Sequence, residues 1–405
     1  MHPNLIAYAV PVFFAAIAAE LLAGRIRGKN AYRLGCAVSD LDAGIASQVA
    51  DLFLKGIGLF IYAAVYRYRF VTFAEGSLWP WAIGLVGIDF VYYWWHRASH
   101  VVNVLWAVHA VHHQSEDMNL AVALRQPAFE ALTIIPFHLP LALIGVEPWI
   151  YVSCYAIDLI YQFWVHTELT RHAGQLEWVI NTPSAHRVHH GINPKYLDKN
   201  YGGILLVWDR LFGTYQREIE PPVYGVTHPL ASYNPLWANV VPFIDIARRA
   251  RAAPRGRKLA VWFSHPGRGA EVPDVDRATF RKYDPRSSPR VFRYVLAHFA
   301  VLALFAGPFL SAAETMSFAA AAVPCAVVLA STLALAAWTE GRGWALAVDL
   351  ARQGIAVVVA GVAVGLRWGS EAGLGAAALT VTLFAVLFAV FRPNAALPTA
   401  TLSRS

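Results

Sequence analysis

Three groups of histidines carry the chemistry available to this chain. His96 and His100 form HxxxH, His109, His112 and His113 form HxxHH, and His186, His189 and His190 form a second HxxHH. With 15 histidines in 405 residues, one HxxHH arises by chance about 0.02 times in such a chain, so two are not an accident of composition. On a helix, positions i and i+4, or i and i+3, share a face. Each group therefore aims two imidazoles at one point, which is how helical bundles build metal sites from facing side chains. A lone histidine is ordinarily a hydrogen-bonded interfacial residue; eight in these groupings are not. His166 ends an apolar run at the same depth and is the ninth candidate ligand. His172 is not counted with it, nor are His138, near Pro136 and Pro140, and the isolated His2, His228, His265 and His298.

Ligand number narrows the metal. Imidazole suits zinc, copper, iron and nickel alike, but a closed zinc site needs only four ligands, and eight or nine divide into two sites of four or five. Two ions with open positions point to redox chemistry, and iron best joins all-nitrogen ligation to activation of O2. Spacing alone implies two metals on one side of a membrane; iron and oxygen extend that inference. No catalytic side chain is expected beyond the ligands. Asp89 is the candidate supporting residue: it lies seven residues before His96, where it could accept from a ligand histidine's second nitrogen. Asn193 falls in the turn Gly191-Ile192-Asn193-Pro194, and Asp198 and Asn200, before Gly202-Gly203, have the types of turn and cap residues.

The elements that must hold these histidines are membrane helices. Hydrophobic residues make up 57% of the chain and charged ones 15%, and the mean hydropathy is +0.44, far more apolar than a soluble domain. The expected fold is all-α, a polytopic transmembrane helical bundle with a histidine-rich dimetal site facing the cytoplasm. Spans of roughly 20 apolar residues are expected at Pro3–Gly24, Gly44–Tyr66 (interrupted by Asp51 and Lys55), Trp79–Trp95, Phe129–Val146, Trp149–Val165, Val291–Ala313, Phe318–Trp338, Trp344–Leu366 and Gly373–Phe391. The organisation reads as N-terminal spans over 1–78, a histidine-box catalytic domain over 79–245, a basic cytoplasmic loop over 246–290, and C-terminal spans and tail over 291–405. The N-terminus has no basic region ahead of its apolar run, which ends in Arg25, Arg27 and Lys29, so it is an anchor helix rather than a secretory signal. The formal charge of +7 clusters beside spans and in the Arg248–Arg293 loop, a positive-inside pattern that needs no nucleic acid. It puts the histidines on the cytoplasmic side but leaves Arg67 and Arg69 outside. Cys36, Cys154 and Cys325 are scattered and give neither a disulfide framework nor a metal knuckle. Trp79, Trp81, Tyr92, Tyr93, Trp94 and Trp95 resemble an interfacial aromatic belt.

The words around the histidines carry a resemblance. HRASH, HAVHH and HRVHH match in order and spacing the boxes of the fatty acid hydroxylase superfamily, which includes sterol desaturases and lipid hydroxylases. SEDMNLAVALRQ, YQFWVHTE, NTPSAHRVHHGINPKYLDKNYGG and WDRLFGTY resemble, within it, the alkylglycerol monooxygenases. The likeness is dense from Trp79 to Tyr215 and weak beyond. It implies a membrane diiron monooxygenase that uses O2, with tetrahydrobiopterin as reductant, to hydroxylate the ether-linked carbon of a glyceryl ether lipid and release an aldehyde. On this resemblance the eight box histidines and His166 are the metal ligands. Glu116, Asp117, Arg125 and Gln126 are then either contacts to a head group or pterin, or residues of a surface loop. The chain departs from the family at Val101, where a glutamate usually follows the second histidine of the first box, and hydroxylation or desaturation of another membrane lipid or sterol stays open. Two readings of other classes remain. One is a metal transporter, whose ligands would sit at mid-membrane in broken helices rather than at span ends. The other is a zinc hydrolase, which lacks its H-E-x-x-H. The membrane would be the plasma membrane of a bacterium or the endoplasmic reticulum of a eukaryote. The electron donor and oligomeric state are not encoded in any motif.

Overall fold

A backbone in hydrocarbon must satisfy its own polar groups, which an apolar stretch achieves as a helix. The computed structural model describes residues 5–269, 275–285, 287–391 and 393; His2, part of the basic loop and the end of the tail lie outside these. As expected, the chain is all-α. The helices are α1 (Leu5–Ile26), α2 (Leu34–Tyr66), α3 (Trp79–Val101), α4 (Asn103–His113), α5 (Glu130–Ile144), α6 (Pro148–Phe163), α7 (Pro183–His189), α8 (Val207–Leu211), α9 (Pro235–Ala252), α10 (Lys258–Phe263), α11 (Pro289–Ala313), α12 (Phe318–Thr339), α13 (Ala345–Trp368) and α14 (Ser370–Phe391). Two isolated bridges, Ile180 with Leu205 and Gly191 with Tyr224, are the sole β pairings among the described residues.

Among the described residues six helices, α1, α2 and α11 to α14, are long and apolar enough to cross a membrane, and the protein is multi-pass. The expected span around Asp51 and Lys55 is the second part of α2, a single helix of 33 residues. The three spans expected across the histidine region are corrected. α3 falls outside the apolar set, and α5 and α6 have 15 and 16 residues, reaching about 22 to 24 Å where a bilayer core needs about 30 Å. α5 and α6 form an antiparallel hairpin, joined by His138 Nδ1 to the Tyr151 hydroxyl at 3.0 Å and by the Tyr155 hydroxyl to Glu130 at 3.4 Å. The turn requires a glycine: Gly145 has φ 103°, and a Cβ there would lie 2.3 Å from the Val71 carbonyl oxygen. Both helices pack on α3 through Ile88, Leu141, Ile150 and Cys154.

The chain forms two compact units. The first comprises Met1–Arg33, Phe53–Leu230 and Asn239–Lys282; the second comprises Leu34–Leu52, Ala231–Ala238 and Tyr283–Ser405. In the second, Asp349 accepts from the Tyr294 hydroxyl at 2.6 Å and the Trp338 indole at 2.9 Å, and Arg352 donates to Asp349 and to His298 Nδ1. This buried ion pair has the internal partners that a charge among apolar helices demands. α13 and α14 cross closely at glycines, since a Cβ on Gly373 would meet the Gly361 oxygen at 2.5 Å.

In the first unit α1 is fastened by one buried carboxylate. Glu20 accepts from the Tyr32 and Thr167 hydroxyls, and from the Leu120 N–H at 2.8 Å; Phe13 of α1 stacks on Phe163 of α6 with centroids 4.1 Å apart. Glu20→Leu strands three donors at once. At about 1 kcal/mol or more per stranded group, it is expected to destabilise the detergent-solubilised protein by about 3 kcal/mol. A lowered denaturation midpoint with unchanged helix content by circular dichroism would show this.

Candidate metal centre

Each histidine box is placed at or near the end of a well-terminated helix. α3 carries His96 and His100 to its last turn and stops at Val102, whose extended backbone (φ −120°, ψ 117°) breaks the helix. Asn103 then starts α4. Its N–H donates to the Ser264 carbonyl at 2.9 Å, its side-chain amide donates to the Val261 carbonyl at 2.7 Å, and its own oxygen accepts from Arg249 at 2.9 Å. Part of the basic loop thus serves as a brace for the second box. α7 begins with Thr182, whose side chain accepts from the Ala185 N–H, followed by Pro183 in the first turn, a favourable helix start.

The nine predicted imidazoles come together as five and four. His96, His100, His109, His113 and His189 form one group, and His112, His166, His186 and His190 the other, with the ligand-capable atoms of each group within 4.8 Å of one another. The sorting follows from helix geometry. In each HxxHH the i and i+4 imidazoles stay together, while the i+3 imidazole, about 100° round the helix from its neighbour at i+4, turns to the other group. His112 therefore leaves α4 for the group built by α7, and His189 leaves α7 for the group built by α4.

Hydrogen bonding shows what the groups can hold. Backbone carbonyls only accept, so each imidazole nitrogen facing one carries the proton. His96 Nδ1 donates to the Tyr201 oxygen at 2.8 Å, His112 to Arg125 at 3.0 Å, His166 to Gln162 at 2.9 Å and His189 to Lys199 at 3.0 Å. In a neutral ring the other nitrogen is then a bare lone pair. His112 Nε2 and His166 Nε2 lie 3.2 Å apart, two acceptors face to face, which no hydrogen bond can satisfy and a cation between them would. His96 Nε2 is 3.0 Å from His109 Nε2, and His189 Nε2 is 3.1 Å from His113 Nε2. His186 Nε2 approaches His166 Nε2 at 2.9 Å and His190 Nε2 at 3.1 Å. The donor set is all nitrogen, buried and convergent, and fits a pair of borderline transition-metal ions.

Burial keeps these rings in the ligating form. It pushes His109, His113, His186 and His190 well below the usual imidazole range, with neighbouring imidazoles adding to the effect, and lowers His112 to about 4 and His189 to about 3. A histidine depressed in the folded state stabilises it above the unfolded value of 6.5 and loses that contribution as pH falls toward the folded value. For His112 the window runs from 6.5 down to about 4, at about 1.4 kcal/mol per pH unit. Proton competition for the nitrogens acts in the same direction. Acidification from pH 7 to 5 is therefore expected to lower the melting temperature and release bound metal, whereas a shift from pH 7 to 8 leaves both unchanged; a thermal series with metal analysis checks this.

Several residues behave differently from expectation. Asp89 touches none of the nine histidines: it accepts from the Ile204 and Leu205 N–H groups at 2.6 and 3.2 Å and from the Trp208 indole at 2.7 Å, pinning the segment after the third box. Two of the four carbonyls that face second nitrogens belong to 198–201, which the sequence marks only as turn and cap. Lys199 and Tyr201 supply carbonyls there, and Asp198 and Asn200 adopt φ of 57° and 56°, a left-handed backbone that Asp and Asn tolerate best after glycine. The signal available in the sequence was this Asp-x-Asn pair ahead of Gly202-Gly203.

Glu116, Asp117 and Arg125 are buried rather than loose in a loop. Asp117 binds Arg33 and Lys282, while the Arg125 guanidinium donates to the Val111 carbonyl at 2.6 Å and so closes the end of α4. Gln126 donates to the Ala123 carbonyl at 2.8 Å. Asn193 is a turn residue, its oxygen accepting from the Val223 N–H at 2.8 Å. Of the aromatic run, Trp79 and Trp94 are exposed, but Tyr92, Tyr93 and Trp95 are buried; Trp95 stacks on His96 and sets its edge against His109, walling the site. His172 pairs with Glu177 at 2.8 Å and His138 with Tyr151, both outside the two groups.

Comparison with known proteins agrees with this geometry. The family model for fatty acid hydroxylase matches residues 81–214, the stretch holding all nine histidines. Alkylglycerol monooxygenase of Homo sapiens is 37% identical over 314 residues, covering 75% of this chain and 70% of that protein. The Xenopus tropicalis protein of the same name is 36% identical over 74% of this chain and 69% of its own length. An ornithine lipid hydroxylase of Rhizobium tropici is 30% identical over 35% of this chain and 45% of its own. No solved structure matches the chain significantly. With more than two thirds of such relatives covered at this identity, the chain belongs to the alkylglycerol monooxygenase family of fatty acid hydroxylase-domain membrane proteins.

Proposed function

We propose that this protein is a membrane diiron monooxygenase that oxidises the carbon beside the ether oxygen of a glyceryl ether lipid. Membership of an oxygenase family makes it a lipid oxidoreductase, and the transporter and zinc hydrolase readings fall away. The observation that carries the proposal is the division of nine imidazoles into five and four, two sets each large enough for its own ion with positions left open. His96, His100, His109, His113 and His189 would hold one iron, and His112, His166, His186 and His190 the other. Iron bound there supplies the redox chemistry that activates O2.

The protein's part is orientation and dryness. Carbonyls of residues 125, 162, 199 and 201 fix four rings, and the buried setting keeps water from competing for the oxidant. In the overall reaction one oxygen atom enters the C–H bond next to the ether oxygen. The other leaves as water, with two electrons and two protons taken from a reductant, for which a tetrahydropterin is the family's donor. The hemiacetal so formed breaks its C–O bond to give a fatty aldehyde and a glycerol hydroxyl. The clustering of Arg and Lys beside the spans supports a cytoplasmic site.

Purified protein given an alkylglycerol, O2 and a tetrahydropterin is expected to release aldehyde, and the His189→Ala variant none. A second reading is favoured by the ornithine lipid hydroxylase relative: hydroxylation of another membrane lipid. Consumption of such a lipid with no aldehyde from ether lipids would replace the first reading.

A further inference from the structure

Nine imidazoles make up the two groups, and His100 differs from the others in what its second nitrogen meets. Its Nε2 is buried with no protein partner, the state of an atom left free for a metal. Its Nδ1 lies 3.8 Å from an Asp198 carboxylate oxygen, a charge contact longer than a hydrogen bond, whereas His96, His112, His166 and His189 each donate to a neutral backbone carbonyl. Asp198 is itself aimed. Its other oxygen accepts from His265 Nε2 at 3.0 Å, while His265 Nδ1 accepts from the Gly267 N–H at 3.1 Å; that acceptance leaves the imidazole proton on Nε2, pointed at the carboxylate. His100, Asp198 and His265 therefore form a line from the five-nitrogen group to a half-exposed histidine on the 264–269 segment. Asp198 occupies this place on a left-handed backbone.

We propose that Asp198, oriented by His265, is a positioning residue that loads the ring of His100 with negative charge, so that the ion of the five-nitrogen group is held more tightly and is more electron-rich than its neighbour. A carboxylate behind a ligating imidazole raises the ring's donor strength through its charge. The other group receives carbonyl dipoles only, at His112 and His166, so the two ions are made inequivalent by this contact as well as by ligand number. The inference rests on the diiron reading above.

The test uses full-length detergent-purified protein loaded with iron-57. Asp198→Asn and Asp198→Gly suit the site because both residues accept a left-handed backbone; Asn keeps an acceptor without the charge, and Gly removes both. Wild type is expected to give two Mössbauer doublets of equal area in the diferrous state, and Asp198→Asn to shift one and leave the other in place. In Asp198→Gly one iron of the two should leave to a chelator about 10 to 100 times faster, the usual loss when such a support is removed. His265→Ala should produce a smaller shift of the same doublet. Two wild-type irons with both doublets and both release rates unchanged in all three variants overturn the inference alone. Wild-type protein that takes up no iron overturns the diiron reading and the inference with it.

Discussion

His112→Ala is expected to abolish turnover and to lower bound iron from about two to about one per chain. His112 is a member of the four-nitrogen group, so its loss leaves three imidazoles there. It also removes the ring whose bare nitrogen faces that of His166 at 3.2 Å. The informative comparison is His113→Ala, one residue away on the same helix. His113 belongs to the five-nitrogen group, which keeps four imidazoles without it, enough for a closed set of the kind that holds a divalent ion. Neighbouring alanine substitutions on α4 should therefore differ: His112→Ala loses one iron readily, while His113→Ala retains nearly both and loses activity through altered ligation. Elemental analysis of the two variants, each gel-filtered in detergent, makes the comparison. Equal iron loss in both would mean that the five and four sorting does not describe the ligand sets.

Eight of the nine histidines that gather at the centre were legible in the sequence because their spacing matches the helical repeat, and a repeat survives translation into three dimensions; His166 was legible from its place at the end of an apolar run. Which histidine joins which group was not. His112 and His113 are adjacent and about 100° apart on α4, so helix geometry separates them, but which histidines from distant segments each one meets is set by the fold. The supporting contacts were still less visible. Asp89 has the right type and helical phase to face a histidine, yet the 204–208 segment arrives from more than a hundred residues away and takes its oxygens. The supporting acceptors are largely backbone carbonyls, which every residue possesses, and so residue type cannot announce them. Membrane crossings were overcounted for a related reason. Apolarity marked α3, α5 and α6 as spans, but apolar residues also bury a hairpin against a helix: α5 and α6 are set apart from the six by length, whereas α3, long enough at 23 residues, is set apart by composition.

The second large effect is expected at Asn200, whose role lies in backbone geometry. Asn200 sits between Lys199 and Tyr201, the residues whose carbonyls hold His189 and His96. Its side-chain amide donates to the Ala185 and Gln216 carbonyls at 2.9 and 2.8 Å, and its oxygen accepts from the Gln216 N–H at 2.8 Å, so one buried side chain ties the first turn of α7 to the stretch of chain after α8. Asn200→Ala deletes three hydrogen bonds and places a residue with a Cβ but no polar group at φ 56°. With about 1 kcal/mol per lost bond and about 1 kcal/mol of left-handed strain, the variant should lose about 4 kcal/mol. Asn200→Gly separates the two terms, since glycine relieves the strain without restoring the bonds. It should recover about 1 kcal/mol of stability and none of the metal. Because both anchored rings, His96 and His189, belong to the five-nitrogen group, the iron lost from either variant should come from that group, leaving the other doublet in the Mössbauer spectrum unchanged. A variant that melts early but keeps both irons would show that the 199–201 carbonyls stabilise the fold without positioning the ligands.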